Sequence, residues 1–440
     1  MIKVAFHTLG CKVNQVETEQ LKEAFLQLGY EIVDFGDLAD VYVINTCTVT
    51  HVSDRKSRAM IRRAVKHNPD AIVVAIGCGV QVNAVQLATI EGLNLLVGNK
   101  YKDQLPDLVA DYLAKGKIDL QVMVDPIQSS DKPVTRLYTQ HHERTRAFVK
   151  IQDGCQSFCS YCIVPFARGP VRSKSPENVI AEIINLVQIG YKEIVLTGIH
   201  TGFYGVDLEE WNLDRLLKSI FAEVEGDYRI RLSSIEPKEL NEELLETIAS
   251  EPRICRHLHI PLQSGSDRIL ASMGRRYDRN YYRELILTAA KKIPGAAFTA
   301  DVIVGYPTEQ DIDFQDTYDL INELPIYDLH VFKYSIRKGT RAATLVPQVG
   351  ETDKHRRSER LIQLGLQKKD QFMAQWVGQA MSVLVERKLD VTQYLALSDN
   401  YIDILFESQQ DLRGQIVNTI LTEVGEDKVR GKLCINCSEN

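Results

Sequence analysis

The sequence predicts an α/β protein in three parts: an N-terminal parallel α/β domain, a central partial (β/α) barrel and a small C-terminal antiparallel β-barrel. Three observations carry this reading. Short Val/Ile-rich runs alternate with helical patterns through the first two parts, the alternation breaks once at a Pro- and Ser-containing stretch, and after about Ala374 only strand and turn patterns remain. A chain of 440 residues also exceeds what one ordinary core holds.

Within residues 1–125, VAFHTLG, VYVINTC and AIVVAIGC read as strands, with helices from about Glu17 to Leu28 and from about Ser53 to Lys66. Residues 126–145 contain Pro126, Ser129, Ser130 and Pro133 without a clear period, and read as a linker. Over residues 146–373, FVKIQDG, EIVLTGI, RIRLSSI, HLHIPL, FTADVIVG and LHVFKYS are candidate strands separated by helical stretches. In a barrel of this kind the chemistry sits at the C-terminal ends of the strands. Residues 374–440 give SVLVERK, TQYLALS, YIDILF and GQIVNTILTEV with turn residues between them, which suits a small β-barrel.

Hydrophobic content of 44% and charged content of 25% are ordinary for a soluble protein. No apolar run approaches the roughly 20 residues of a membrane span. The start, MIKVAFHTLGCKVNQ, has no basic segment leading into an apolar one and reads as a first strand, so a cytoplasmic location without membrane partners is expected. A formal net charge of −7 excludes a nucleic-acid binder that works by its whole surface; any RNA contact must be local. Nine cysteines, an odd number, cannot all pair, and clustered thiols in a reducing compartment point to metal or redox chemistry.

Cys155, Cys159 and Cys162 form a C-x3-C-x2-C run directly after FVKIQDG. Three thiolates on one short loop hold three irons of a four-iron cube and leave the fourth open to substrate. The next cysteine, Cys255, lies in the unrelated run EPRICRHLHI and reads as structural. A zinc ion with a distant fourth ligand is the competing use, although structural zinc usually employs two paired elements. A second set comprises Cys11, Cys47 and Cys78, each just past the carboxyl end of a candidate strand, so a parallel sheet would open all three on one edge. They read as a second cluster site or as small buried hydrophobes. Cys434 and Cys437 form a lone C-x-x-C pair that stays unassigned.

At the Cys155 loop the chain resembles the radical S-adenosylmethionine superfamily, whose cluster loop has this spacing with an aromatic residue before the third cysteine, here Tyr161. The resemblance extends through LTGIHTGFYG, RLSSIEP, HLHIPLQSGSDRIL and FTADVIVGYPTEQ. With Cys11, Cys47 and Cys78 it narrows to the methylthiotransferases, which join such an N-terminal domain, a radical-SAM barrel and a C-terminal TRAM barrel. The resemblance implies two [4Fe-4S] clusters, one on Cys155, Cys159 and Cys162 and an auxiliary one on Cys11, Cys47 and Cys78. It also implies S-adenosylmethionine both as methyl donor and as source of a 5′-deoxyadenosyl radical, and an electron donor as partner. Tyr161, Arg231, Ser233, Glu236 and Gln263 are the implied contacts to S-adenosylmethionine. Pro307-Thr308-Glu309 departs from the family, which commonly has glycine between the Pro and the Glu.

The implied RNA partner directs attention to local cations. Arg55, Arg58 and Arg62 share a basic helix face with Lys56, Arg63 and Lys66, a face that also reads as simply solvated. Residues 373–440 hold six Lys and Arg against ten Asp and Glu, so an RNA grip there must rest on a few groups, Arg387, Lys388 and Arg413, with Tyr401 as aromatic support. His200, His257 and His259 read as structural histidines.

The context of the first cysteine separates branches of the family. Leu9-Gly10-Cys11-Lys12-Val13-Asn14-Gln15, followed by Glu17-Thr18-Glu19, resembles the branch acting on N6-threonylcarbamoyladenosine 37 in the tRNA anticodon loop, as do Gly198-Ile199-His200 and Tyr204-Gly205. Such a substrate brings a carboxylate that needs a cation or hydroxyls, and Arg168 and Arg172 are candidates for it or for tRNA phosphate. Competing expectations are isopentenyl-adenosine 37, an aspartate of a ribosomal protein, or an iron–sulfur RNA sensor without turnover.

Overall fold

Near-continuous Val/Ile runs, buried on both faces, are what a covered parallel sheet requires. They build the central β3 (Val41–Thr46), β4 (Ile72–Gly77) and β5 (Leu95–Val97), and less buried runs build the flanking β1 (Lys3–Thr8), β2 (Glu31–Val33) and β6 (Gln121–Met123), of a computed structural model that describes residues 1–116, 119–131, 144–425 and 428–434. The strands run parallel in the order β2-β1-β3-β4-β5-β6. Helices α1 (Lys12–Gln27), α2 (His51–His67), α3 (Cys78–Leu87) and α4 (Leu105–Lys115) connect them. One apolar core gathers Phe25, Val43 and Val109, and another Tyr42, Ile61 and Leu96. Helix α1 begins at Lys12, ahead of the Glu17 start that the periodicity indicates, because its first turns bury the polar Asn14, Glu17 and Thr18. Most of the expected linker, residues 132–143, lies outside the described residues.

The central strands are β7 (Arg146–Asp153), β8 (Arg172–Ser173), β9 (Glu193–Gly198), β10 (Arg229–Leu232), β11 (His257–His259), β12 (Ala297–Val304) and β13 (Ile326–Lys333). Apart from the short antiparallel β8 they are parallel, and an Ile230–Ile254 bridge continues β10 towards β11. No hydrogen bonds pair the described β7 and β13, so the barrel is open between them. Alternation divides each strand. Val149, Ile151, Ile194, Leu196, Ile230, Leu258, Ala300 and Val302 pack into the large core with the flanking helices. The alternate positions, Lys150, Gln152, Glu193, Arg231, His257, His259, Thr299, Asp301 and His330, therefore share the inner face. This barrel encloses a polar lumen where a closed (β/α) barrel packs branched apolar layers.

The 24-residue helix Glu351–Ala374 follows β13 and leads to β14 (Ala380–Lys388), β15 (Gln393–Ser398), β16 (Asp403–Glu407), β17 (Ile416–Val424) and β18 (Val429–Leu433). These close a barrel in the order β14-β15-β16-β18-β17. All its pairs are antiparallel except β16–β18. With five strands, successive reversals leave two neighbours running the same way, so the wholly antiparallel expectation fails at that pair. No helix among the described residues is long and apolar enough to cross a membrane.

The C-terminal barrel docks through its β15–β16 turn. Arg229 donates to the Leu397 carbonyl, and Arg231 donates to the Ser398 and Asp399 carbonyls, each at 2.9 Å. Arg256 pairs with Asp399 at 2.6 Å. Beneath them Glu193 is fully buried, with Arg231 at 2.6 Å, Arg229 at 2.6 Å and Arg146 at 3.8 Å. Burial opposes its charge, but Arg231 and Arg229 outweigh burial and hold the carboxyl at about 2. Since the folded value lies below the ordinary 4.5, this stabilisation is present above pH 4.5 and is lost as pH falls towards 2, a contribution of about 3 kcal/mol. Urea unfolding of the wild type and Glu193→Gln should therefore differ most above pH 4.5 and converge on acidification. A gap independent of pH would show that Glu193 is not held ionised.

Candidate active site

Strand β7 ends at Asp153, and the chain turns through Gly154 at φ +78°. A Cβ there would stand 1.8 Å from the Pro170 carbonyl oxygen, so only glycine permits the approach. Cys155 then donates its N–H to the Gly169 carbonyl, Ser160 donates its N–H to the Met273 carbonyl, and the Ser160 and Tyr306 hydroxyls meet at 2.8 Å. The loop that carries Cys155, Cys159 and Cys162 is thus pinned on two sides. The Cys155 Sγ lies 3.6 Å from Nδ1 of His200, whose Nε2 meets Glu239 at 3.0 Å. Burial opposes protonation of His200, yet its bonds to Cys155 and Glu239 raise it to about 9. Burial works against the Cys155 thiolate too, but His200 and Ser157 bring its pKa below the usual range. Arg275 donates to Cys159 Sγ at 3.3 Å and pairs with Glu236. Burial, with the neighbouring Cys159 and Cys155, pushes the Cys162 thiol up to about 12.

Cys11, Cys47 and Cys78 follow the adjacent strands β1, β3 and β4 at one sheet edge. Gly10 has φ +101°, and a Cβ on it would lie 2.9 Å from Cys47 Sγ, so the glycine lets the first loop close over the second. Burial raises the Cys47 pKa, and the neighbouring Cys78 and Cys11 thiols add to the rise. All six cysteines are free. Neither set gathers three sulfur atoms within 4.8 Å, whereas bonds of about 2.3 Å to a single zinc ion bring its sulfur ligands closer than that.

The two sets are joined by Arg168, on the short helix α5 (Val164–Arg168). Its side chain is fully buried, with Nε donating to Cys78 Sγ at 3.1 Å, Nη2 donating to Asn14, and Nη1 pairing with Glu17 and Asp153. Lys102 and Lys150 also reach Glu17, and Lys150 and Arg172 reach Asp153. Four buried cations thus share two carboxylates. Burial opposes the Glu17 charge, but Arg168 and Lys102 hold that carboxyl well below the ordinary range. The surplus positive charge beside Cys78 fits an anionic thiolate-bound cluster there.

These contacts correct three expectations. Arg168 and Arg172 do not face RNA or a substrate carboxylate, because both are buried, Arg168 against Glu17, Asp153, Asn14 and Cys78 and Arg172 against Asp153 and the Arg168 and Asp131 carbonyls. Arg231 does not reach the cysteine loop: Glu193 and the β15–β16 turn capture it. Tyr401 is not free for RNA, since its ring stacks on His257 at 4.1 Å and under Arg231 at 5.1 Å. Glu236 does reach the site, through Arg275. Ser233 is buried with no partner for its hydroxyl, Gln263 bridges to β12 at φ +66°, and Tyr161 packs with the apolar group around Met273 and Tyr306. Arg55, Arg62, Arg387, Lys388 and Arg413 are exposed, and Arg58 is half-buried. Thr308 adopts φ +69°, the conformation a glycine would take, and its carbonyl accepts from Arg268 at 2.7 Å. Cys255 is buried against Glu193, and Cys437 lies outside the described residues. Sequence reasoning missed Glu239 and Arg275, and read His200 as structural although it contacts Cys155. His200 follows the end of β9, the same strand-end signal that marked the cysteines.

The chain matches the Radical SAM superfamily over residues 149–321 and the Uncharacterized protein family UPF0004 over residues 3–98. It is 41% identical to the threonylcarbamoyladenosine tRNA methylthiotransferase MtaB of Bacillus subtilis, covering 97% of this chain and 95% of that one. It is 42% identical to the enzyme of the same name from Aquifex aeolicus, covering 96% of this chain and 100% of that one. Its fold is similar to that of the radical S-adenosylmethionine methyltransferase TsrM from Kitasatospora setae, with a TM-score of 0.59 at 15% identity over 78% of this chain and 74% of that one. With 41–42% identity to these enzymes over nearly its full length, the chain belongs to the radical-SAM methylthiotransferase family, on its MtaB-like branch.

Proposed function

We propose that the protein is a tRNA methylthiotransferase that converts N6-threonylcarbamoyladenosine 37 to its 2-methylthio derivative. The observation that carries this reading is the pair of three-cysteine sets linked through Arg168, Glu17 and Asp153. Cys155, Cys159 and Cys162 hold one [4Fe-4S] cluster, and Cys11, Cys47 and Cys78 hold the other. When bound, these clusters and S-adenosylmethionine supply the electron, the methyl group and the radical that a strong, non-acidic adenine C2–H bond requires. His200 and Arg275 orient Cys155 and Cys159 and balance their charge. The unpartnered Ser233 hydroxyl and the Glu236 carboxylate are the polar groups offered to S-adenosylmethionine.

Residues 1–125 carry the auxiliary site, 146–373 the radical chemistry and 374–440 a TRAM-like grip on RNA. Phosphate contacts come from Arg55, Arg58 and Arg62 of α2 and from Arg387, Lys388 and Arg413 of the C-terminal barrel. An electron donor and a cytoplasmic setting complete the reading. The test is turnover by the reconstituted, reduced enzyme on tRNA with and without the threonylcarbamoyl group, followed by mass spectrometry of nucleosides. The expected product is 2-methylthio-N6-threonylcarbamoyladenosine, with none from tRNA lacking that group. Equal turnover of isopentenylated tRNA, or modification of a ribosomal protein, would overturn the assignment.

A further inference from the structure

Three side chains outside the cysteine sets, His259, Asp301 and His330, bring metal-ligating atoms within 4.8 Å of one another. They stand on neighbouring strands of the inner face: His259 ends β11, and Asp301 of β12 lies opposite His330 of β13. Nε2 of His259 and Nδ1 of His330 both approach one carboxylate oxygen, Oδ1 of Asp301, each at 3.2 Å. Charge-assisted hydrogen bonds to a carboxylate are shorter, about 2.7–2.9 Å. A tetrahedral ion with bonds of about 2.0–2.1 Å sets its ligand atoms about 3.3–3.4 Å apart, which is close to the spacing found. The two rings lie 5.2 Å apart and nearly parallel, so rotation of the half-exposed His330 closes the remaining nitrogen–nitrogen edge.

The surroundings hold this arrangement in place. Nδ1 of His259 meets Thr299 Oγ1 at 2.8 Å, which fixes the ring and leaves Nε2 directed at Asp301. Metal-binding histidines use their second nitrogen in the same way. Thr299 is itself anchored, since its Oγ1 also meets Nε2 of His257 at 3.0 Å, and His257 stacks on Tyr401. The ligands therefore rest on strands and packed side chains, which keep a coordination set more precise than a loop does.

We infer that His259, Asp301 and His330 form a site for one divalent first-row metal ion of the zinc class, with Nε2, Oδ1 and Nδ1 as its ligands. Two imidazoles and a carboxylate suit such an ion, whereas the iron–sulfur clusters take thiolates. Three protein ligands leave a fourth position open, and the solvent access of Asp301 and His330 lets water or an oxygen of a bound molecule fill it. The site is distinct from the two cluster sites and shares no residue with them.

Zinc is the probe, because it is redox-inert and is counted separately from cluster iron. The cluster-reconstituted full chain is dialysed against buffered zinc, and zinc and iron are measured on the same sample. The wild type should retain one zinc per chain beside about eight irons. His330→Ala and His259→Ala should lose that zinc with iron unchanged, and Thr299→Val should bind it roughly 10- to 100-fold more weakly. His330→Ala is the decisive variant, because a half-exposed side chain is removed without opening the core. X-ray absorption at the zinc edge should show nitrogen and oxygen at about 2.0–2.1 Å and no sulfur at about 2.3 Å. A wild type that takes up no zinc would overturn the inference, as would zinc retained by both histidine variants. A sulfur-containing shell, with iron lost as zinc enters, would place the ion on the cysteines and overturn it equally.

Discussion

Replacing Cys11, Cys47 and Cys78 together with alanine is expected to lower iron from about eight to about four atoms per chain and to end thiolation while S-adenosylmethionine cleavage continues. Cys159→Ser should do the reverse, removing cleavage to background while the auxiliary irons remain. The argument rests on how independently the sets are built. The first three thiols sit on loops after β1, β3 and β4 of one sheet, with Gly10 closing against Cys47. The other three sit on a loop pinned by Met273, Ala342 and Tyr306 of the central barrel. Cys159 accepts a hydrogen bond from Arg275, so serine would keep a polar partner for that arginine while offering a hard oxygen where iron prefers sulfur. Iron analysis, electron paramagnetic resonance and 5′-deoxyadenosine yield separate the outcomes. Unchanged iron in the triple variant would return Cys11, Cys47 and Cys78 to structural thiols, and full cleavage by an iron-loaded Cys159→Ser protein would remove that loop from the chemistry.

The strand-end placement of the cysteines was legible because the signal is local: a short apolar run followed closely by a thiol marks a strand end, and three such ends in a parallel sheet share an edge. Arg168 was not legible. Whether a charged side chain is buried depends on partners, and its partner Glu17 stands 151 positions earlier, on a helix whose polar first turns hid its start from the hydrophobic period. Arg231 misled for a related reason. It shares the inner face with Ser233, but it sits lower on β10, opposite Val195 in the middle of β9, where carbonyls of the C-terminal barrel reach it. Tyr401 was expected to give aromatic support to an RNA grip, yet its turn is the docking element itself, with Asn400 donating to the Gly295 carbonyl. Pattern reading locates elements; it does not reveal which distant element a polar side chain meets.

Arg168→Met should loosen the junction between the N-terminal sheet and the central barrel and release the auxiliary irons selectively. Methionine fills much of the arginine's volume but makes none of its hydrogen bonds to Glu17, Asp153, Asn14 and Cys78. Breaking a buried ion pair from one side typically costs roughly 3–5 kcal/mol, and Lys102, Lys150 and Arg172 remain to neutralise the acids, so the lower part of that range is expected here. Arg168→Lys should not rescue the protein. A lysine has three donors around one point and cannot span Glu17, Asn14 and Cys78 as the planar fork does. The readouts are urea unfolding of the N-terminal part, iron content, and cleavage of S-adenosylmethionine. The expected pattern is a less stable N-terminal part and loss of about four irons with cleavage retained, because the loop bearing Cys155 keeps its own anchors at Gly169, Met273 and Tyr306. A variant with wild-type iron and unfolding would show that the sheet and barrel are joined by apolar packing alone. One that loses both clusters together would show that Arg168 supports the cysteine loop itself.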